Sequence, residues 1–424
     1  MAEIRPFCGL RYSPAHDLAL VTSPPYDVIS PQRRLELLDR SPHNIVAITL
    51  GPSEMNAQAW YDQAAGQKRD WIAEGVIQRD SEPALYGYSQ VFKGPQGRPL
   101  TRTGFMACVR LRPWGQGIHR HEFTRKGPRA DRLALIKAMR ANTSPVFGLY
   151  RDPDRGIARL LTPPANAQRF SDDGVEHIFW PISDRSVVQT IVEAMAQRDI
   201  VIADGHHRYE TALAYSEYCR QQTPAARELA SDYVMMYLNA IEDPGLLVLA
   251  CHRVVHDWPV DGAKLLRDLS ADFELQPAPQ GRTLSDLIAP NEDEILLGAI
   301  LPDKSRWMLR LRDRRRALEA ASGHSDPMLA TLDVVVLQNL VLEPHLDIDA
   351  DVLSSTSHVT YTIDEDLAHH AVCSEQTSAA FIINATTLDQ VWETALAGVT
   401  LPQKSTYFSP KLQTGLVFNS LETL

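Results

Sequence analysis

Asp199-Ile-Val-Ile-Ala-Asp204-Gly-His-His-Arg208 is a short apolar strand that ends in a carboxylate, a glycine, two imidazoles and a guanidinium, and a helical pattern follows at once. A strand that turns directly into a helix aims backbone N–H groups and the positive end of the helix dipole at one spot, which suits an anion. Within it, Gly205 lets the turn approach a ligand closely, and Arg208 offers a fork for phosphate oxygens. Asp204 is the candidate for holding a cation or a proton. Adjacent histidines in a strand or helix point in different directions, so His206 and His207 do not read as a pair on one metal. The competing reading is structural, one histidine capping the helix and the other packing. Tyr209 and Leu213, at helical spacing, belong to the core.

Working outward, the stretch sits in an alternation of strand 177–182, helix 186–197, strand 200–203 and helix 209–221, which implies layered α/β packing. Upstream, Ser30-Pro31 predicts a helix over 31–40 with Ser30 as N-cap and Pro31 at its first position. Residues 45–50 read as a strand and 58–74 as a helix ending at Gly75. A hairpin is expected from 84–93 and 103–111, with Gly94–Gly97 as its loop. A helix over 129–141 and a strand over 145–150 come next, and strands over 233–240 and 246–256 follow the central helix. The last third predicts a helix at 262–269, a hairpin over 295–312, a helix at 328–342, strands at 379–384 and 416–419, and a helix at 391–397. The class is α/β, a mixed α+β chain. Three regions are expected: 1–160, 161–260 and 261–424.

The 424 residues carry a formal net charge of −11, with 44% hydrophobic and 22% charged residues. An acidic chain argues against a sequence-independent grip on nucleic acid. The basic run from Lys304 to Arg316 alternates apolar with charged residues and fits a strand with one solvated face. No apolar run approaches the length of a membrane span, and the first residues lack the pattern of a secretory signal, so a cytoplasmic location is expected. Five cysteines, scattered and without a Cys-x-x-Cys pair, indicate neither a disulfide framework nor a zinc ribbon.

Three further clusters carry polar chemistry. His121-Glu122-Phe-Thr124 shares two letters with the zincin signature, but position 125 is Arg, so the second ligand is missing and a metalloprotease is rejected. Glu122 is a candidate base for a substrate hydroxyl, with His121, Thr124 and Arg132 as substrate contacts; the alternative is a solvated charged loop. Lys404-Ser405-Thr406, with Lys411, lacks the upstream glycine of a Walker A loop, yet two lysines and several hydroxyls suit phosphate or carboxylate oxygens. Pro24-Pro25-Tyr26-Asp27 is a rigid corner, structural first, with Tyr26 and Asp27 as candidate ligand contacts.

Taken together and in this order, these stretches identify the chain as a member of the bacterial and archaeal family catalogued as domain of unknown function 1015. The residues that carry the match are Ile4-Arg-Pro-Phe7, Pro24–Ser30, His121-Glu122 with Thr124, Asp131-Arg-Leu133, Ser144-Pro145 with Phe147–Tyr150, Ile202–Ala212, and Lys404–Phe408 with Pro410-Lys411. Asp204–Glu210 also resembles the nucleotide-binding signature of the ParB/sulfiredoxin superfamily, most closely its free-serine-kinase branch. His206 stands where sulfiredoxins carry cysteine, so sulfiredoxin chemistry is disfavoured. This second resemblance implies a ParB/sulfiredoxin-like α/β core in a larger multi-lobed chain. It implies further that Gly205, His206 and Arg208 bind nucleotide phosphates.

The leading expectation is an ATP- or ADP-dependent phosphotransferase, with Mg²⁺ on Asp204, acting on a small hydroxylated metabolite for which a serine-like amino acid is the first guess. Glu122, Asp204 and His207 are its catalytic candidates; Lys404, Ser405, Thr406 and Lys411 add phosphate contacts. A nucleotide-binding switch with slow hydrolysis and a metal-dependent phosphatase or hydrolase are the rivals. No membrane or nucleic-acid partner is expected, and a homodimer is left open.

Overall fold

The computed structural model describes residues 1–52, 56–122, 127–290, 294–321, 327–355, 358–374 and 377–422. The chain forms two compact units, one from residues 1–120, 125–247 and 410–424, the other from 121–124 and 248–409.

The first unit is built on a mixed nine-stranded sheet. Its path runs Ile118–His119, Ile200–Asp204, Val146–Tyr150, Tyr233–Ala240, Pro99–Arg110, Leu85–Lys93, Val175–Ile182 and Gln168–Asp172, and Ile4–Arg5 adds to Pro99–Arg110. Two pairings are parallel, 200–204 with 118–119 and 233–240 with 146–150; the other pairs are antiparallel. Ile200, Val201, Ile202 and Ala203 are all buried, the pattern of a strand covered on both faces. Ile191 and Met195 of the helix Arg185–Met195, and Tyr209 and Ala212 of the helix His206–Gln222, pack with Ile200, Ile202, Val234 and Met236 in one core.

The second unit has its own six-stranded antiparallel sheet, in the order Phe273–Pro277, Arg306–Leu311, Leu296–Ile300, Thr377–Ile382, His252–His256, Val359–Thr362. Phe273, Leu297, Leu309 and Phe381 pack with Val334–Leu337 and Val341. A second cluster joins Val254, Ala380 and Ile382 to Leu284, Ala368 and Val372. The expected solvated strand is the one at 306–311, and Arg310 on it pairs with Glu274 and, at 3.0 Å, with Glu294.

The α/β class therefore holds, and many elements fall where the pattern places them. Pro31–Arg40 is a helix whose N-cap Ser30 accepts from the Arg33 amide at 3.1 Å. Five expectations need correction. The strand at 416–419 is only the two residues Asn419–Ser420. Residues 45–50 are no strand but the short helix Val46–Thr49, because the Asn44 side chain accepts from the Val46 amide at 3.0 Å and starts a turn; a six-residue apolar run does not separate the two periods. The helix at 328–342 breaks into Pro327–Ala330 and a second run from Asp333 that continues to Leu346, passing through a π turn at Gln338–Leu342. Pro344, which has no N–H to donate, lies two residues past that turn. The strand at 246–256 is two strands, Leu247–Leu249 and His252–His256. Finally, the compact units do not follow boundaries at 160 and 260, since the nine-stranded sheet takes strands from both sides of residue 160.

None of the five cysteines is in a disulfide. Among the described residues no helix is long and apolar enough to cross a membrane.

Candidate functional site

In the first unit the strand Ile200–Asp204 ends at Gly205, whose φ of 88° and ψ of 29° place it in the left-handed region. A Cβ here would also stand 2.8 Å from Arg208 Nε, so both backbone and space call for glycine. The 17-residue helix His206–Gln222 starts immediately after, without a side-chain cap. Helices 31–40, 185–195 and 262–269 instead take a Ser or Asp side chain at this position. Uncapped first-turn amides and the helix dipole favour an anion there.

Cations gather at the same turn. Lys411 Nζ donates to Asp204 Oδ2 at 2.8 Å, and Arg208 Nη2 lies 3.6 Å from Asp204 Oδ1. Arg208 also donates to Ser144 Oγ at 2.9 Å and to the Pro145 carbonyl, which fixes its guanidinium across the turn. Thr414 donates to Ser144 Oγ at 3.1 Å. His206 is buried, while His207 and Arg208 are partly exposed. Tyr209 is fully buried and its hydroxyl donates to the Arg112 carbonyl at 2.7 Å, which makes it a core residue as its spacing suggests.

Lys411 reaches Asp204 because its backbone is clamped. Gln90 Nε2 donates to the Lys411 carbonyl at 2.9 Å, Arg102 Nη2 donates to the Pro410 carbonyl at 2.5 Å, and Arg102 also donates to Gln90 Oε1. Arg102 is fully buried, and burial pulls its pKa below the usual guanidinium range. Gln90 and Arg102 were missed from the sequence. Both sit in hairpin strands where a polar residue reads as solvent-facing, and no local signal marks them.

Beside the turn lies a cleft of about 650 Å³. Leu135, Ile136 and Met139 of the helix Gly127–Met139 and Val234 form its apolar wall; Tyr26, Arg132, Ser144 and Arg208 border it. The Arg132 guanidinium stacks 4.4 Å from the Tyr26 ring centroid and donates to the Thr49 carbonyl at 2.8 Å. Burial, with the Asp27 charge next, lifts the Tyr26 pKa, while Arg208 and Arg132 pull it down. Tyr26 and Arg132 are thus brought to the turn, whereas Asp27 is exposed.

The second unit holds the other expected residues. Thr406 donates to Glu122 Oε1 from its amide at 3.1 Å and from its hydroxyl at 3.0 Å, and His121 Nε2 lies 3.0 Å from the same hydroxyl. The Leu401 amide donates to the His121 carbonyl at 2.7 Å, and Ser405 Oγ donates to the Pro402 carbonyl at 2.5 Å. His121, Ser405 and Thr406 are buried, and Lys404 is exposed with φ of 56°. Thr124 lies outside the described residues.

A resident metal does not fit Asp204. Both its oxygens face cationic nitrogens, and among the described residues no group of three His, Cys, Asp or Glu side chains is placed to hold an ion.

Fold and turn together define a mixed α/β protein whose strand-to-helix junction gathers Lys411 and Arg208 at Asp204. Residues 4–335 match the family described as protein of unknown function DUF1015, and the chain belongs to that family. No curated protein matches it. Among solved structures, a conserved hypothetical protein from Pyrococcus furiosus shares 13% identity, covering 74% of this chain and 95% of its own, with a TM-score of 0.35. A free serine kinase in complex with AMP shares 11%, covering 74% and 92%, with a TM-score of 0.35. A C-terminally truncated SbnI from Staphylococcus aureus shares 11%, covering 73% and 87%, with a TM-score of 0.37. Likeness of that degree decides nothing about activity.

Proposed function

We propose that the first unit binds a nucleotide, and that the protein is an ATP- or ADP-dependent phosphotransferase acting on a small hydroxylated metabolite, a serine-like amino acid foremost. The observation that carries the reading is the gathering of Lys411 and Arg208 at an uncapped helix start behind Gly205. The amides of the first helical turn and the Arg208 fork take the phosphates, with His206 and His207 beside them. The base enters the cleft walled by Leu135, Ile136 and Met139, where burial of an apolar ring face is favourable. Because Lys411 already neutralises Asp204, a phosphate shares that ammonium rather than meeting a bare carboxylate. Positioning and charge neutralisation are the main demands of phosphoryl transfer, and the turn supplies both. Magnesium enters with the nucleotide, and no part of the reading requires a resident ion.

Calorimetric titration of the full chain with ADP and ATP, with and without magnesium chloride, tests the binding reading. Arg208→Ala and Lys411→Ala should each weaken binding roughly ten- to a hundredfold, the value of one or two charge-assisted hydrogen bonds. Unchanged affinity in both variants would sink the site. A metabolite panel with ATP then tests transfer: nucleotide consumption that appears only with an acceptor supports a kinase, and tight binding without such turnover points to a switch.

A further inference from the structure

A second cleft, of about 1040 Å³, lies within the second unit and is bordered by Glu294, Arg314, Thr331, Asp333, Asn384 and Gln390. Asp333 opens the helix Asp333–Leu337. Its Oδ2 accepts from the Asn384 amide at 3.0 Å and from Asn384 Nδ2 at 2.9 Å, while Asn384 Nδ2 also donates to the Ile288 carbonyl at 2.9 Å. These bonds hold the carboxyl in one orientation. Its Oδ1 has no hydrogen bond, and the group has no ion pair, among the described residues. Glu294 in the same wall differs, since Arg310 pairs with it at 3.0 Å.

A partly buried carboxylate without a countercharge is costly, and burial raises the Asp333 carboxyl above its usual range. A ligand ammonium would remove that cost. Arg314, the first residue of the helix Arg314–Ala320, is an exposed cationic residue bordering the same cleft. One fixed acceptor inside and one cation at the rim match a ligand with a positive and a negative end.

We propose that this cleft binds a small zwitterionic metabolite of the free α-amino-acid class, its ammonium on Asp333 Oδ1 and its carboxylate toward Arg314. The site stands on second-unit residues alone and does not rest on nucleotide binding.

The test is titration of the full chain with L-serine and L-alanine, set against ethanolamine, which lacks the carboxylate, and glycolate, which lacks the amine. Both amino acids should bind, and each truncated probe should bind roughly tenfold or more weakly. Asp333→Asn keeps an acceptor for Asn384 and should weaken serine binding roughly ten- to a hundredfold with the melting temperature little changed. Should that variant fail to fold, Arg314→Ala, at an exposed position, carries the test: serine affinity should fall while ethanolamine affinity stays. Failure of either amino acid to bind at millimolar concentration, or affinities unchanged by both substitutions, would overturn the proposal. ADP titration of the same variants keeps this outcome separate from the nucleotide reading.

Discussion

Asp204 in the first unit and Glu122 in the second are both carboxylates with a histidine nearby in sequence, yet their surroundings differ in kind. Asp204 meets a lysine ammonium and a guanidinium, whereas Glu122 meets a backbone amide, a threonine hydroxyl and, at 3.6 Å, the His121 imidazole. A carboxylate between two cations creates a locally positive turn that an anion can join. One held by an amide, a hydroxyl and an imidazole rests on groups that carry no fixed charge. Similar sequence letters thus prepare two chemistries, and the neighbours decide which.

The largest expected effect breaks the Glu122 side of the contrast. Glu122→Gln keeps the Thr406 hydrogen bonds and removes the basic oxygen, so if Glu122 is the base, acceptor-dependent kcat should fall by about 10²–10⁴ while ADP affinity is unchanged. Equal turnover in the variant would leave Glu122 a brace for Thr406 and nothing more.

Acidification bears on both units. His177 in the first accepts or donates one hydrogen bond at 2.7 Å with Tyr88, and His252 in the second receives the Ile383 amide at 3.4 Å. Burial pushes each imidazole down to about 4. Below pH ~6.5 the unfolded chain takes up protons that the folded chain refuses, so stability present above that pH is lost as pH falls toward 4. Each histidine contributes at most about 3 kcal/mol to that loss. Urea melts at pH 7 and pH 5 should show it, and His177→Asn should shrink the difference between them; an equal difference in the variant would clear His177.

Gly205→Ala sharpens the contrast from the other side. Forcing a side chain into the left-handed turn and against Arg208 should cost about 1–3 kcal/mol of stability, and it should weaken ADP binding by displacing the Arg208 fork. Loss of stability with intact affinity would detach the guanidinium from the nucleotide. The smallest effect is expected for Thr406→Val, which removes one buried hydroxyl shared by His121 and Glu122. A stability loss of about 1 kcal/mol is expected, with ADP affinity unaltered. A large drop in affinity would instead return Thr406 to the phosphate contacts that its motif first suggested.

Much of this arrangement is written locally. The strand 200–204, its αL glycine and the helix behind it follow from four apolar residues, one glycine and a helical run. Ser30-Pro31 marks a helix start because capping and a preset φ act within one turn. The run at 45–50 departs from its strand pattern because its conformation depends on what Asn44 caps and where Ile45 and Ile48 are buried, neither of which a short apolar string reveals. The helix expected to end at 342 continues past Pro344 because the π turn absorbs the missing donor.

What the amino-acid order alone determined is thus the strand-to-helix junction at Asp204–Arg208 and the alternation that makes the chain α/β, since both depend on backbone preferences and periodicity over a few residues. Only the tertiary structure decided that Lys411 would neutralise Asp204 across 207 residues, through a buried Gln90–Arg102 clamp on the Pro410 and Lys411 carbonyls. It also decided that Glu122 would rest on Thr406. Such pairings follow from strand register and burial, which link residues distant in the chain and leave no local trace in it.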